Sequence, residues 1–330
     1  MRASIKTLLE QYQVRKTIKQ KNQFTQWCQQ HATQHGYEIT EQTFKRGRGK
    51  NLIVGSVSEA VVIMCAHYDT PPNAIFPIVT VVGNIPMYLL SQALIFLPIM
   101  GVFLGIHFFM TTFITDGGLM GRMIPFFWSE IPLLSFVLLV LWTIQMMMGV
   151  ANRKNANDNS SGVSVLLALL EDLPQLEREK VCFVFFDEEE KGLEGAKAFK
   201  RQYQGHIYDK PLINFDCVAH GKHLMFITKK AFRQSTYHDQ LKMATENKAL
   251  LKSAKKYVYP SDQLIFKNSV GVTALHKLPV VGYYLSRLHS RFDHKFEVEN
   301  IEKLNQMMQK FVSNIPGPQQ IDEKNEKNSN

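Results

Sequence analysis

A run of four acidic residues stands in the middle of the chain, directly after an apolar segment. Residues 181–186 read Val-Cys-Phe-Val-Phe-Phe, and Asp187, Glu188, Glu189 and Glu190 follow them. An apolar segment of this length is typical of a strand that is buried on both faces. In open α/β sheets the functional crevice lies at the carboxyl ends of the strands, where these acidic side chains would crowd together. The pattern therefore indicates either a divalent metal site, because such ions take oxygen ligands, or a solvated acidic loop.

Two more candidate residues follow an earlier apolar segment of the same kind. Residues 61–66 read Val-Val-Ile-Met-Cys-Ala, and they lead into His67, Tyr68 and Asp69. A histidine at the carboxyl end of a strand suits a metal ligand, and a carboxylate two residues later can fix the orientation of its ring. A lone histidine in this position is more often structural, so His67 becomes informative only together with other ligands.

Three further candidates complete a set of metal ligands. Asp158 lies in a polar turn before an apolar helix, Asp216 follows a short strand, and His289 follows the last predicted strand, residues 279–284. Together with His67 and Glu190 they supply two imidazoles and three carboxylates. That set is sufficient for two borderline divalent ions that share one carboxylate.

The motifs around these residues resemble those of the co-catalytic dizinc aminopeptidases, metallopeptidase family 28, and they occur in the same order. The motifs are Ala66-His67-Tyr68-Asp69, Asn157-Asp158-Asn159-Ser160-Ser161-Gly162, Glu189-Glu190-Lys191-Gly192-Leu193-Glu194-Gly195, Phe215-Asp216 and Leu288-His289-Ser290. The resemblance implies an α/β fold, with a three-layer α/β/α domain around a mixed, mainly parallel sheet. It also implies zinc ligands at His67, Asp158, Glu190, Asp216 and His289, with Asp158 bridging two ions. The chain departs from the family pattern at Gln263, where members usually carry a histidine.

The resemblance also assigns roles in hydrolysis. It implies that Glu189 is the general base and that Asp69 orients His67. Adjacent acids point in different directions, so Glu190 can bind metal while Glu189 transfers protons. The implied activity is a zinc-dependent aminopeptidase that removes N-terminal residues from peptides with a free amino terminus, through a hydroxide that bridges two zinc ions. Cobalt or manganese could take the place of zinc.

Other functions stay open at this stage. One is a related dizinc amidase, deacylase or carboxypeptidase, which the motif Asp158-Asn159-Ser160-Ser161-Gly162 disfavours without excluding it. Another is a non-catalytic membrane receptor or scaffold on a peptidase fold, although every predicted ligand is present. The net charge of +9 could favour nucleic acid, but the basic residues are dispersed and no recognised motif is found, so no nucleic-acid partner is expected. The sequence does not indicate an oligomeric state.

A long segment without charged residues interrupts the predicted enzyme. Residues 74–113 contain no Asp, Glu, Lys or Arg. Within and after this segment, residues 86–110 and 131–150 are each long enough to cross a bilayer, which requires about 20 apolar residues. We therefore expect an inserted two-helix transmembrane hairpin with residues 116–130 as its polar turn. The apolar residues 75–82 are too few to span and are expected along the membrane interface.

Both ends of the hairpin lie on one side of the membrane in this interpretation, because His67 and Asp158 must reach the same metal centre. Arg153 and Lys154 follow the second predicted span, and basic residues that flank a span favour the cytoplasmic side. We expect an integral membrane protein, in the plasma membrane, with its catalytic domain in the cytoplasm and the lipid bilayer as a partner. The positive net charge is consistent with an anionic inner leaflet.

The predicted organisation has four parts. Residues 1–73 and 151–315 form the two parts of the peptidase domain, and residues 74–150 form the inserted transmembrane hairpin. Residues 316–330 are polar and are expected to be a disordered tail. At the start of the chain, residues 3–35 are expected to form one helix.

Overall fold

A ten-stranded mixed sheet runs through the computed structural model, which describes residues 1–74, 76–114, 137–138, 140–145 and 149–317. The strands are β1 (Ile39–Phe44), β2 (Gly49–Val54), β3 (Val62–His67), β4 (Ile78–Val82), β5 (Val181–Phe186), β6 (Leu212–Phe215), β7 (His223–Thr228), β8 (Leu250–Ser253), β9 (Ser269–Leu278) and β10 (Gly282–Leu288). Their order is β1-β2-β5-β3-β6-β9-β10-β4, and β7 pairs with both β9 and β8. The central pairs β5–β3, β3–β6 and β6–β9 are parallel, whereas β1–β2, β2–β5, β9–β10 and β10–β4 are antiparallel.

Helices cover both faces of the sheet. Within the described ranges they are α1 (Ala3–Gln11), α2 (Ile18–Gln34), α3 (Ile85–Ile114), α4 (Ser160–Asp172), α5 (Gln175–Arg178), α6 (Glu194–Ile207), α7 (Lys230–Arg233), α8 (Thr236–Thr245) and α9 (Val298–Asn314). Short 3-10 helices lie at Glu189–Lys191 and Asp262–Ile265. Helices α1, α2, α4, α8 and α9 contribute to the hydrophobic cluster on one face, and α6 contributes to the cluster on the other.

The side chains of β3 connect the sheet to both layers of helices. Val62 and Met64 belong to the first cluster, whereas Ile63 and Cys65 pack in the second with Phe199 of α6. Successive residues of a strand point to opposite faces, so a strand covered on both sides requires a continuous apolar run. This requirement explains the apolar segments before the candidate residues, and the structure confirms the predicted α/β class with a mixed sheet.

Residues 3–35 form two helices, so the prediction of a single helix is wrong. Helix α2 begins after Thr17, whose hydroxyl accepts a hydrogen bond from the backbone N–H of Gln20, while the Gln20 side chain accepts one from the N–H of Thr17. This reciprocal capping box starts a new helix. The loop between α1 and α2 carries Arg15, whose side chain is fully buried.

The last predicted strand also differs from the structure. Residues 279–284 were expected to form one strand, but β9 ends at Leu278 and β10 begins at Gly282, so residues 279–281 form the turn of a hairpin. Strand β10 continues to Leu288 with a shift of register after Leu285. The strand that leads to His289 is therefore longer than its sequence pattern indicated.

The predicted transmembrane hairpin is not supported by the structure. Helix α3 occupies the first predicted span, but among the described residues no helix meets the length and apolarity that a membrane crossing requires. Part of the second span, residues 131–150, and the whole predicted turn, residues 116–130, lie outside the described residues. Within the segment expected along the membrane interface, residues 78–82 form β4, which pairs with β10. The predicted tail falls outside the described ranges apart from residues 316–317.

Candidate metal centre

The predicted ligands lie at the ends of strands that run side by side. His67 is the last residue of β3, Asp216 directly follows β6, and Glu190 lies in the short helix after β5. Because β5, β3 and β6 are parallel neighbours, their carboxyl ends meet at one edge of the sheet. Asp158 precedes α4, and His289 directly follows β10. The fold thus brings all of these side chains to one place.

Asp158 lies between the two histidines. Its Oδ1 is 3.4 Å from Nε2 of His67, and its Oδ2 is 3.1 Å from Nε2 of His289. Nε2 of His67 is also 3.6 Å from Oδ1 of Asp216, and Nε2 of His289 is 3.4 Å from Oε2 of Glu190. In each of the two resulting groups the ligand atoms lie within 4.8 Å of one another. The two oxygens of Asp158 therefore face different groups, as a bridging carboxylate requires.

Glu189 belongs to a third group, with His67 and Glu190, in which the ligand atoms also lie within 4.8 Å of one another. Burial raises the pKa of Glu189 well above its ordinary value; His67 opposes this shift, whereas the carboxylate of Glu190 reinforces it. A carboxyl group with a raised pKa accepts a proton more readily than an ordinary carboxylate. The role of Glu189 in proton transfer stays a prediction.

The charges of this site fit divalent cations. Asp158 and Asp216 are buried, and Oδ1 of Asp216 has no hydrogen-bond partner among the described residues. Burial raises the pKa of Glu190 well above its ordinary value, and the nearby carboxylate of Asp158 adds to the shift. Burying a carboxylate without a compensating positive charge or hydrogen bonds costs free energy. Imidazole nitrogens and carboxylate oxygens are, with cysteine thiolates, the usual protein ligands of zinc. The assignment of each residue as a ligand stays a prediction.

Asp69 connects the end of β3 to the acidic stretch. Its Oδ1 accepts a hydrogen bond from the backbone N–H of Glu189 at 3.0 Å, and its Oδ2 accepts one from the N–H of Glu190 at 3.3 Å. Its Oδ1 also lies 3.4 Å from Nδ1 of His67. A carboxylate at Nδ1 leaves Nε2, the nitrogen that faces Asp158, free to act as a ligand.

Asp293, which is not among the residues predicted from the sequence, holds the loop that carries Asp158. Its two carboxylate oxygens accept hydrogen bonds from the backbone N–H groups of Asn157 and Asp158, at 3.1 and 3.0 Å. Burial and the nearby carboxylate of Asp158 raise the pKa of Asp293 to about 8. On the other side of the loop, Asn159 donates to the carbonyl of Phe215 at 2.9 Å and so ties this loop to the turn of Asp216. No sequence pattern marks Asp293, because its partners lie far away along the chain.

Arg15 anchors the site from the loop between α1 and α2. Its Nε donates to the carbonyl of Tyr68, and its Nη1 donates to Oγ of Ser160 at 3.1 Å. Burial lowers the pKa of Arg15 to about 10, while the charges of Asp69 and Asp158 oppose this shift. The guanidinium thereby joins the segment after β3 to the first turn of α4.

The first two acids of the acidic stretch are paired with lysines. Nζ of Lys21 is 2.5 Å from Oδ1 of Asp187, and Nζ of Lys45 is 3.1 Å from Oε2 of Glu188. Asp187 and Glu188 are only 1% and 4% exposed, so the stretch is not a solvated loop. Of the four consecutive acids, only Glu189 and Glu190 face the histidines.

A further buried acid, Asp262, borders the site. Neither of its carboxylate oxygens has a hydrogen-bond partner among the described residues. Burial raises the pKa of Asp262 to about 8, although His67 opposes the shift. The neighbouring Gln263 replaces the histidine of the family pattern and has a structural role, because it donates to the carbonyl of Tyr259 at 2.7 Å and accepts from the amide of Asn214 at 2.9 Å.

Comparison with known proteins identifies a family and a set of similar structures. The family model for Peptidase family M28 matches residues 146–312, just over half of the 330 residues. No curated protein sequence matches the chain.

Solved structures share the fold at low sequence identity. A Zn-dependent exopeptidase from Parabacteroides distasonis superposes with a TM-score of 0.56 at 13% identity, over 95% of this chain and 96% of that one. A glutaminyl cyclase from Bacteroides thetaiotaomicron bound to N-acetylhistamine has a TM-score of 0.55 at 13% identity, over 94% and 96%. A leucine aminopeptidase precursor from the same species has a TM-score of 0.53 at 13% identity, over 94% and 95%. At these identities the similarity establishes the fold alone.

Proposed function

Because the chain belongs to peptidase family M28, we propose that it is a zinc-dependent aminopeptidase that removes the N-terminal residue from peptides. Membership of the family supports a metallopeptidase with peptide substrates and zinc. The restriction to the amino terminus and the use of two ions are our proposal. The observation that supports the use of two ions is the position of Asp158, whose two oxygens lie 3.4 and 3.1 Å from the Nε2 atoms of His67 and His289.

The residues divide into two groups that would each hold one ion. Asp158, His67 and Asp216 form one group, and Asp158, Glu190 and His289 form the other. Bound zinc supplies Lewis-acid chemistry, because it lowers the pKa of water and polarises a carbonyl oxygen. The substitution Asp158→Asn keeps the shape of the side chain and removes its charge. It is expected to weaken the binding of zinc at both groups.

The proton transfers of the proposed reaction belong to Glu189. Its carboxylate takes a proton from the attacking water and returns it to the amine of the departing peptide. Burial raises its pKa and so favours the protonated form that the second transfer requires. Asp69 does not touch the substrate in this mechanism. It holds the ring of His67 and, through two backbone N–H groups, the segment of Glu189 and Glu190.

A second candidate function is the cyclisation of an N-terminal glutamine. It is favoured by the similarity of the fold to glutaminyl cyclases, among them those of Bacteroides thetaiotaomicron and Porphyromonas gingivalis. In that reaction the α-amine attacks the side-chain amide, ammonia leaves, and no water is consumed. The peptide keeps its length, so product analysis separates the two reactions.

The decisive experiment combines metal content with product analysis on one purified sample of the full chain. We expect two zinc ions per chain and hydrolysis of amino-acyl chromogenic amides, but no hydrolysis of the same amides with a blocked amino group. Cleavage of blocked or acylated substrates would instead indicate a deacylase or carboxypeptidase. Release of ammonia from a glutaminyl peptide without shortening would indicate the cyclase. A protein without metal and without turnover would refute the enzyme and support the scaffold.

We also propose that the protein is anchored in the plasma membrane with its catalytic domain in the cytoplasm. Residues 74–113 carry no charge, and apolar side chains of α3 such as Leu89, Leu97 and Val102 are exposed. A reporter fused at the carboxyl terminus should then be cytoplasmic. Recovery of the full chain without detergent in the soluble fraction would refute the anchoring.

A further inference from the structure

A pair of histidines lies outside the candidate metal centre. His220 follows β6 in the loop after Asp216, and His276 lies in β9. Nε2 of His220 is 3.1 Å from Nε2 of His276, and Nδ1 of His220 is 3.2 Å from Oε1 of Glu297, which precedes α9. The ring of His276 packs against Tyr284 on the neighbouring strand, with 5.7 Å between ring centroids. The two ring nitrogens therefore converge from different elements of the fold.

The contact with Glu297 determines which nitrogen of His220 carries the proton. A carboxylate accepts hydrogen bonds, so Nδ1 of His220 donates to Glu297. In the neutral ring the lone pair then lies on Nε2, which faces His276. Nε2–H of His276 donates a hydrogen bond to this lone pair. A carboxylate at one ring nitrogen and a lone pair at the other is the arrangement that orients histidine ligands in metal sites.

The separation of the two nitrogens suits two ligands of one ion. With metal–nitrogen bonds of about 2.0–2.1 Å, two imidazole ligands of a tetrahedral ion lie roughly 3.3 Å apart, and two ligands at a right angle lie roughly 2.9 Å apart. The observed 3.1 Å falls between these values. An ion would replace the proton between the two nitrogens, and His276 would then carry its proton on Nδ1.

The surroundings keep both rings in the neutral, ligating form. Burial lowers the pKa of His220 and of His276 below the ordinary value. Glu297 opposes the shift at both rings. The positive charges that reinforce the shift are Arg287 at both rings, Lys295 at His220 and Lys222 at His276. Glu297 is the one acidic group among these and lies in direct contact with the pair.

We propose that His220 and His276 form a second metal site, which binds a divalent ion from the end of the first transition row, such as Zn²⁺ or Cu²⁺. Imidazole is a preferred ligand of these ions. Glu297 orients His220, and water completes the coordination. The site is separate from the proposed peptidase function, since neither histidine belongs to any of the three groups of candidate ligands in the metal centre.

The test counts bound ions in the full chain. Equilibrium dialysis against Zn²⁺ and, separately, Cu²⁺ would be followed by elemental analysis of wild type, His220→Gln, His276→Gln and Glu297→Gln. Each histidine variant is expected to bind one ion per chain fewer than wild type. Glu297→Gln should keep the ion at saturation but bind it 10–100-fold more weakly, as is usual for a residue that orients a ligand. The electron paramagnetic resonance signal of Cu²⁺ that is present in wild type and absent in both histidine variants should show two coordinated nitrogens.

The matched control is His238→Gln. Nδ1 of His238 lies 3.8 Å from Oδ1 of Asp239, so it too has a nearby carboxylate, but no second imidazole pairs with it in the part of the chain that the structure describes. Equal ion counts in wild type and both histidine variants, or an equal loss in His238→Gln, would overturn the proposal. Glu297→Gln leaves both rings in place and tests the site even if a histidine variant fails to fold. Peptidase activity is not a readout, so failure of the proposed function does not affect the result.

Discussion

Gly162 provides a steric test of the candidate metal centre. It is the third residue of α4, and its N–H donates to Oδ1 of Asn159 at 2.8 Å. A Cβ built on Gly162 would lie 2.6 Å from Oδ1 of Asn159 and even closer to the carbonyl oxygen of Phe215. These atoms join the loop of Asp158 to the turn of Asp216. A methyl group at Gly162 would therefore act as a wedge between two of the predicted ligands.

The size of the effect follows from these distances. A carbon–oxygen contact requires roughly 3.3 Å, so Gly162→Ala forces the two backbone segments apart by roughly 1 Å. Metal sites tolerate deviations of only about 0.2 Å in their ligand distances, and a displacement of about 1 Å can lower a rate about 100-fold. We expect zinc affinity to fall at least tenfold and kcat/KM on amino-acyl amides to fall about 100-fold. Competition with a chelator and steady-state kinetics measure the two quantities.

Gly205→Ala is the matched control. Gly205 lies in α6, and a Cβ there would meet no atom within 4 Å. Alanine is the better helix former by about 1 kcal/mol, so this variant should be slightly more stable than wild type and should bind zinc equally well. If Gly162→Ala also gained stability and retained zinc affinity, the close contact between α4 and β6 would not control the site, and the reasoning would fail.

Three further predictions concern other parts of the molecule. Glu189→Gln should keep the full metal content and lose at least about 100-fold in kcat; unchanged turnover would show that another group transfers the proton. Arg15→Met should lower the free energy of unfolding by about 3 kcal/mol, measured in urea, because it leaves buried carbonyl groups without a donor. Burial opposes ionisation of Glu171, but hydrogen bonds from His31 and Arg2 lower its pKa from 4.5 to about 2. This lowered pKa contributes about 1 kcal/mol to the free energy of unfolding after allowance for solvent screening. The contribution is present above pH 4.5 and lost as the pH falls through 2. In Glu171→Gln, this part of the pH dependence of the free energy of unfolding should disappear.

The sequence was sufficient to predict the edge of the sheet at which the site lies. Strands β3 and β5 are covered on both faces, so their sequences, residues 61–66 and 181–186, are continuous apolar runs. The carboxyl end of such a strand can be located from the sequence alone. His67 and Glu190 could therefore be placed before any contact was known. The hairpin before His289 was harder to predict, since Val280 and Val281 continue the apolar run through the turn.

The supporting residues could not be predicted in the same way. Asp293, Asp262 and Arg15 act on the site through contacts between distant parts of the chain, and a single sequence does not record such contacts. One local signal was missed. Thr17 and Gln20 have the spacing of a capping box, which marks the start of a helix, and it would have placed Arg15 in a loop rather than in a helix.

The groups that offset the negative charge of each buried carboxylate differ between the predicted metal ligands and the residues that support them. Asp187 and Glu188 form ion pairs with lysines, whereas Asp69 and Asp293 accept hydrogen bonds from backbone N–H groups. Asp158, Glu190 and Asp216 have their oxygens turned instead toward the imidazoles of His67 and His289, at 3.1–3.6 Å. Even two protonated imidazoles carry less charge than the three carboxylates, and buried charge without compensation is unstable. Negative charge is therefore unbalanced where the donors around Asp158 converge, and a divalent cation at this point is expected on electrostatic grounds as well as from the proposed chemistry.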